Sequence, residues 1–228
     1  MTSSSEIFAS LNYVSPLLKP IFDPQIFTHI SNVVQLKKRT LLYSAGDAGK
    51  YVYVIISGLV EHFIISENGA KKTMGISGAG CLVGELPMFN NMLHFCYAQV
   101  NEDSLLHKIP CQSFLDFVEN DPVLLKQLLF SMGQKIHILQ TQIELLEFCD
   151  AVSRIARTLL YLCNDHGVSV QNEILIGLKF THCDMAFMTG LSRVTVSNTF
   201  GQLTREGVIR KKSGRYFIIN QAKLEALC

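Results

Sequence analysis

Charge is sparse in this 228-residue chain: Asp, Glu, Lys and Arg make up 17% of it, against 48% apolar residues. That balance excludes a disordered chain and leaves ample material for one large core or two ordinary ones. No apolar run approaches the roughly 20 residues needed to span a bilayer. The opening MTSSSEIFAS lacks the basic-then-apolar order of a secretory signal, so a cytoplasmic protein without a membrane partner is expected. There is no CxxC pair. Seven cysteines, at 81, 96, 111, 149, 163, 183 and 228, are scattered and odd in number, which argues against a disulfide framework and for reduced, mostly buried thiols.

What charge there is lies unevenly. Residues 1–150 hold ten Lys and Arg against fourteen Asp and Glu, a balance of −4. Residues 151–228 hold ten against five, or +5. A net charge of +1 thus conceals a C-terminal part suited to a polyanion.

The texture of the chain changes three times. Residues 15–35, punctuated by Pro16, Pro20 and Pro24, read as helical. From about 36 to 110, short Val-, Ile-, Tyr- and Phe-rich runs alternate with Gly, among them YVYVIIS, GLVEHFIIS and CLVGELPMF, and Asn68-Gly69 marks a hairpin turn. An antiparallel barrel or roll follows. A helix restarts over 111–120, and Asp121-Pro122 has the N-cap and first-turn form of a longer one. Within that helix Leu125, Leu128, Met132, Ile136, Leu139, Ile143 and Leu146 are spaced 3, 4, 4, 3, 4 and 3 apart. The mean period of about 3.5 is that of a coiled-coil seam, and a second copy of the chain is the expected partner.

Asp150 caps a further helix that ends at Gly167. After a β-like stretch, Thr181-His-Cys-Asp184 has the form of a capping box, Gly190 supplies a turn, and Ser192 caps a second short helix ending at Gly207. Two short helices joined this way form a helix-turn-helix. The first turn of the second helix is polar and exposed in type (Ser192, Arg193, Thr195, Ser197, Asn198), whereas Val196, Phe200 and Leu203 should face inward. Short polar side chains and an arginine at a helix start are what the major groove admits. Lys211, Lys212 and Arg215 form the basic tip of a following hairpin, a wing.

LLYSAGDAGKYVYVIISGLVEHFIISENG, GELPMF, FCDAVSRIARTLLYL and LSRVTVSNTFGQLTREGVI, in this order, resemble the CRP/FNR family of bacterial transcription regulators over essentially the whole length. The resemblance implies an α+β fold: an N-terminal antiparallel β-roll (a cyclic-nucleotide-binding-like jelly roll) over 1–120, a dimerisation helix and hinge over 121–149, and a winged helix-turn-helix over 150–228. It also implies a homodimer joined along the central helix, with double-stranded DNA, a small-molecule effector and RNA polymerase as partners. In cyclic-nucleotide binders of the family an Arg-Ser pair after Gly-Glu-Leu grips the phosphate. Here Gly84-Glu85-Leu86 is present, but the matching pair is Phe95-Cys96, and no Arg occurs between Arg39 and Arg154. Cyclic AMP is therefore disfavoured, because a buried phosphate calls for a fork-like cation.

No Cys precedes Cys81, so the iron–sulfur cluster of the oxygen-sensing branch is not expected. Cys81, His94, Cys96 and His137 are ligand candidates by type alone, which keeps a haem- or thiol-based sensor as the alternative; no cofactor or metal is expected. The candidate effector pocket consists of Gly84, Glu85, Leu86, Met88, Phe89, Phe95, Tyr97, Met132, Lys135 and Leu139. Lys135, in the middle of a long apolar helix, could meet a phenolate or carboxylate, and the chain is similar to the halorespiration regulators that sense chlorinated phenols. Those carry Lys where this chain has Glu85.

By the same resemblance Arg193 takes the position that contacts guanine. Val194 replaces a common Glu, and Asn198 an Arg, which suits adenine and predicts a palindrome richer in A·T with half-sites about one helical turn apart. Thr181, His182, Lys211, Lys212 and Arg215 are expected on phosphates. Two other classes compete with this reading. A cupin-type enzyme would need clustered ligands, and His62, His94 and His107 stand apart, so no enzyme is expected. A protein-interaction module with a vestigial helix-turn-helix would not bind DNA in a salt-dependent way.

Overall fold

The computed structural model describes residues 17–90, 93–171 and 173–228. The chain divides into two compact units, with the boundary between Leu139 and Gln140.

Among the described residues of the first unit, nine strands form two sheets. β1 (Leu17–Leu18), β6 (Lys71–Ser77), β5 (Val60–Ile65), β8 (Tyr97–Val100) and β3 (Leu41–Tyr43) lie side by side in that order. The other sheet runs β2 (Asn32–Leu36), β9 (Ser104–Pro110), β4 (Tyr51–Ser57), β7 (Leu82–Val83). All pairings are antiparallel except β1 with β6. Branched and aromatic side chains suit this pleated, half-buried setting: Val52, Val54 and Ile55 are fully withdrawn from water, as are Val60, Ala98 and Val100. The Asn68-Gly69 turn forms as expected. Ser66 and Ala70 close the loop through a 2.9 Å backbone bond, and Gly69 takes φ +81°, the left-handed conformation that glycine tolerates at such a turn.

Two local expectations fail. Residues 17–35 hold strand β1, one 3₁₀ turn at Pro24–Phe27 and most of β2, not a helix; residues 15 and 16 lie outside the described residues. Prolines four apart remove an amide donor once per turn, so no i→i−4 ladder can run through them. Asp23 instead caps the single turn by accepting the Gln25 amide at 3.0 Å. The end of CLVGELPMF is likewise helical, in α1 (Leu86–Asn90), with Pro87 tolerated near the first turn.

Helix α2 (Cys111–Glu119) precedes α3 (Pro122–Phe148), whose start is capped by the Asp121 carboxylate accepting the amides of Val123 and Leu124 at 2.8 and 3.3 Å. At 27 residues, α3 is about 40 Å long. Leu124 and Leu128 join a core cluster with Phe22, Phe27, Val54 and Phe114. The boundary between the two units falls within α3.

The apolar periodicity of α3 resolves into two stripes of equal period, one residue apart. The inner one is Leu124, Leu128, Ser131, Lys135, Ile138, Gln142 and Leu145, all buried except the half-buried Lys135. The outer one is Leu125, Leu129, Met132, Ile136, Leu139, Ile143 and Leu146, all exposed except the half-buried Met132. The expected seam therefore needs one correction. Leu128, 2% exposed, belongs to the core, and Leu129, 62% exposed, takes its place.

The second unit contains α4 (Ala151–His166), α5 (His182–Thr189), α6 (Arg193–Arg205) and α7 (Gln221–Glu225), with the four-stranded antiparallel sheet β10 (Gly167–Val170), β11 (Glu173–Ile176), β13 (Arg215–Ile218), β12 (Ile209–Lys212). Asp150 caps α4 by accepting the Ser153 amide at 2.8 Å. Ile155, Leu159, Met185, Val196, Leu203 and Ile209 form its fully buried interior.

Candidate functional site

Helices α5 and α6 are set by local chemistry. Thr181 and Asp184 make the reciprocal capping box that their spacing announced, each side chain bonding the other's backbone amide. Gly190 ends α5 at φ +71°, where a side chain would be strained. Ser192 then caps α6, its hydroxyl accepting the Thr195 amide at 3.0 Å and pairing with the Thr195 hydroxyl at 2.8 Å. Val196, Thr199, Phe200 and Leu203 turn inward.

The opposite face of α6 presents Arg193, Val194, Ser197 and Asn198 to solvent. Val194 is 69% exposed, an apolar side chain left for something outside the unit. Thr195 is half-buried and committed to the cap, so it shapes the helix start more than it reaches out. Thr181 is similarly engaged with Asp184. The His182 ring is held from within: its Nε2 lies 2.8 Å from the Tyr216 hydroxyl and the ring sits 5.0 Å from Phe200. Burial, then the charges of Lys211 and Arg193, push its pKa below the ordinary histidine value.

The wing closes on Ser213-Gly214, both at positive φ (51° and 76°), between the paired residues Lys212 and Arg215. Two left-handed residues in a two-residue loop match the twist of the strands. Lys211 and Lys212 are exposed, and Arg215 is half-buried. Arg210 is turned away into an ion pair with Glu173. Cations and hydroxyls thus flank one helix start, an arrangement that meets phosphates and base edges together.

The end of α3 is tied to this unit by two arginines. Arg154 donates to the carbonyls of Cys149 (3.0 Å), Thr189 (3.2 Å) and Leu146 (3.4 Å). Arg157 bridges Glu144 and the Cys228 carbonyl, each at 3.1 Å. Neither was singled out from sequence, since an arginine on a helix gives no sign of the carbonyls it will gather.

In the first unit a cavity of about 270 Å³ opens between the sheet and α3. Of the expected pocket residues, Gly84, Glu85, Leu86, Phe95, Lys135 and Leu139 line it. Met88 packs instead against the core cluster, Phe89 is exposed, Tyr97 stacks on Phe63 at 5.3 Å, and Met132 is half-buried on the outer stripe. Tyr43, His62, His94, Cys96 and Ile138 are among the further lining residues, which also include Ile64 and Met74, and none of these was among the expected pocket residues. Gly84, at φ +88°, lets the chain pass close behind; a Cβ would meet the Tyr51 carbonyl at 3.1 Å and the Tyr43 ring at 3.3 Å.

The polar groups of the cavity are mutually engaged. Lys135 Nζ forms an ion pair with the Glu85 carboxylate and donates to the Leu82 carbonyl at 2.9 Å. Glu85 is 1% exposed. Tyr43 stacks on His94 with centroids 3.6 Å apart, and His62 Nε2 lies 2.9 Å from the Ser77 hydroxyl. Burial pushes His62 down to about 3, lowers His94 and raises both the Tyr43 phenol and the Cys96 thiol. Among the described residues no group of three or more His, Cys, Asp or Glu could hold a metal ion, and no helix is long and apolar enough to cross a membrane.

Comparison with known proteins agrees with both halves of this geometry. The cyclic nucleotide-binding domain matches residues 33–121, and the Crp-like helix-turn-helix domain matches residues 153–227. The fumarate and nitrate reduction regulatory protein of Salmonella typhi is 30% identical over 203 residues, covering 87% of this chain and 80% of its own. The regulatory protein HlyX of Actinobacillus pleuropneumoniae is 27% identical over 198 residues, covering 85% and 82%. A structure of CprK complexed with OCPA superposes with a TM-score of 0.77 at 20% identity, covering 93% of this chain and 99% of that one; at such identity the likeness is one of fold. A β-roll, a long helix and a winged helix-turn-helix with an exposed, arginine-led second helix, matched along most of a regulator's length, admit one conclusion: the chain belongs to the CRP/FNR family of DNA-binding transcription regulators.

Proposed function

We propose that the protein is a homodimeric, effector-controlled regulator that reads a palindromic DNA site. Its division of labour would be a sensing roll over 1–120, a dimerisation helix and hinge over 121–149, and a reading head over 150–228. The observation that carries this reading is the outer stripe of α3. Of seven apolar positions at 4-and-3 spacing along one helix, six are exposed and Met132 is half-buried, and a second copy would cover them as a coiled coil does. Two heads would then present Arg193 to guanine and Asn198 to adenine in successive turns of the groove, with Ser192, Thr195, Ser197 and Val194 beside them. Lys211, Lys212, Arg215, Thr181 and His182 lie where phosphates would pass.

The effector we infer is a small aromatic or apolar acidic molecule, not cyclic AMP. Phe95 and Cys96 stand where nucleotide binders of the family carry Arg and Ser, and Lys135, the one cation among the described residues of the cavity wall, is already paired. Effector binding controls DNA binding only if it favours one arrangement of the heads over the other. RNA polymerase is the expected protein partner and the cytoplasm the expected place of action.

The test combines two measurements on the full chain. Gel shifts on a palindromic duplex, with and without candidate effectors and over a range of salt, should show steeply salt-dependent binding by a dimer. Calorimetry with a chlorophenol panel and cyclic AMP should give heat for the phenols; heat from cyclic AMP alone overturns the effector reading.

A further inference from the structure

The charge balance of the cavity narrows what it can accept. We propose that, within the aromatic or apolar acidic class inferred above, it takes only an uncharged aromatic molecule bearing a hydrogen-bonding group and excludes the ionised form of an aromatic acid, an inference that rests on the cavity being the effector site.

Lys135 is the one Lys or Arg among the residues lining the cavity, and its charge is already met by the Glu85 carboxylate. That carboxylate is almost wholly withdrawn from water, its side chain 2% exposed. The other titratable groups on the wall add no charge of either sign at neutral pH. His62 and His94 are held in their neutral forms by burial, and the Tyr43 phenol and Cys96 thiol keep their protons for the same reason. The described residues of the wall therefore carry one cation and one anion, paired, in a setting where little water screens them.

A carboxylate or phenolate entering this space meets Glu85 as a like charge. It reaches Lys135 only by displacing Glu85, which then becomes a buried anion without its partner, the costly state of any buried ion pair. An uncharged guest leaves the pair intact. Ile64, Met74, Leu86, Phe95, Ile138 and Leu139 surround its ring, and a single donor group can bond the Glu85 carboxylate or a histidine nitrogen. The Glu85 carboxylate thus acts as a built-in occupant of the anion position, and selectivity follows from charge as well as shape.

The test is calorimetry on the full-length protein at pH 7 with 4-chlorobenzamide and 4-chlorobenzoate, which share a heavy-atom frame and differ in charge. The amide should bind at least about tenfold more tightly than the carboxylate, reflecting the penalty for an unpaired buried charge. In Glu85→Gln, which frees the Lys135 ammonium, the order should reverse. In the double variant Glu85→Gln, Lys135→Met the amide should bind and the benzoate should not. The wild-type comparison stands even if a variant fails to fold. Benzoate binding to the wild type as tightly as the amide overturns the exclusion and leaves the aromatic effector reading in place. Absence of binding by both compounds overturns that reading and this inference with it.

Discussion

His182 and Tyr216 are joined by a 2.8 Å hydrogen bond between ring nitrogen and phenol oxygen, which ties the start of α5 to the second strand of the wing. The two elements that flank the candidate DNA surface are thereby held as one piece, and the contact works in either direction: a bare Nε2 accepts the Tyr216 hydroxyl proton, and a protonated Nε2 donates to the phenol oxygen. Replacing Tyr216 by Phe keeps the stacking on Phe180 and the edge-to-face contact with Phe200 and should cost about 0.5–1.5 kcal/mol, the net worth of one such bond.

Stability should fall in acid through the histidines. His182 is held below the ordinary value by burial and by Lys211 and Arg193, His62 is pushed down to about 3, and His94 and His107 are lowered as well. A folded-state value below the unfolded one means that the unfolded chain takes up protons first. The stability these neutral rings contribute is complete above about pH 6.5 and is lost as pH falls toward the folded values. Urea unfolding between pH 8 and pH 4 should show a plateau and then a decline. His62→Gln should flatten that decline; an unchanged slope in this variant would refute the assignment.

The two stripes of α3 make opposite predictions for adjacent leucines. Leu128→Ala opens a hole in the core and should lower unfolding stability by roughly 2–5 kcal/mol. Leu129→Glu leaves the core alone and, on the dimer reading, should shift sedimentation from dimer to monomer. A dimeric Leu129→Glu protein would move the interface off this stripe.

Arg193→Ala should remove about 1–3 kcal/mol of discrimination at one G·C position, the usual worth of a bidentate arginine–guanine pair. Competition gel shifts with single-base operator variants measure it directly. Loss of affinity that is uniform over all sequences would instead make Arg193 a phosphate contact.

Lys212→Ala and Arg215→Ala, by contrast, should weaken binding to every duplex alike. Each should reduce the slope of log affinity against log salt by about 1. A changed sequence preference in either variant would place the wing in a groove, beyond the sugar-phosphate backbone.

Much of the architecture is written in nearest neighbours. The Asp121-Pro122 start, the Thr181–Asp184 box, the Ser192 cap, the Gly69 turn and the basic wing each depend on residues within a few positions of one another, where spacing alone dictates which amide meets which oxygen. The N-terminal stretch misled, because residues 15–35 read as helical although Pro20 and Pro24, four apart, deny a helix its amide ladder.

What lay beyond reading are the facts that require distant segments to meet. Two stripes of one period on α3 differ only by a single residue, and which of them is core depends on Phe27 and Phe114 arriving from elsewhere. Lys135 and Glu85, fifty positions apart, look like a free cation and a departure from a family pattern until the roll brings them into one ion pair. Tyr43, His62 and His94 come from three separate strands and loops to wall the same cavity. Periodicity records which face of an element is apolar, but the partner of that face, and the neutralisation of a buried charge, are set by long-range packing that no local pattern encodes.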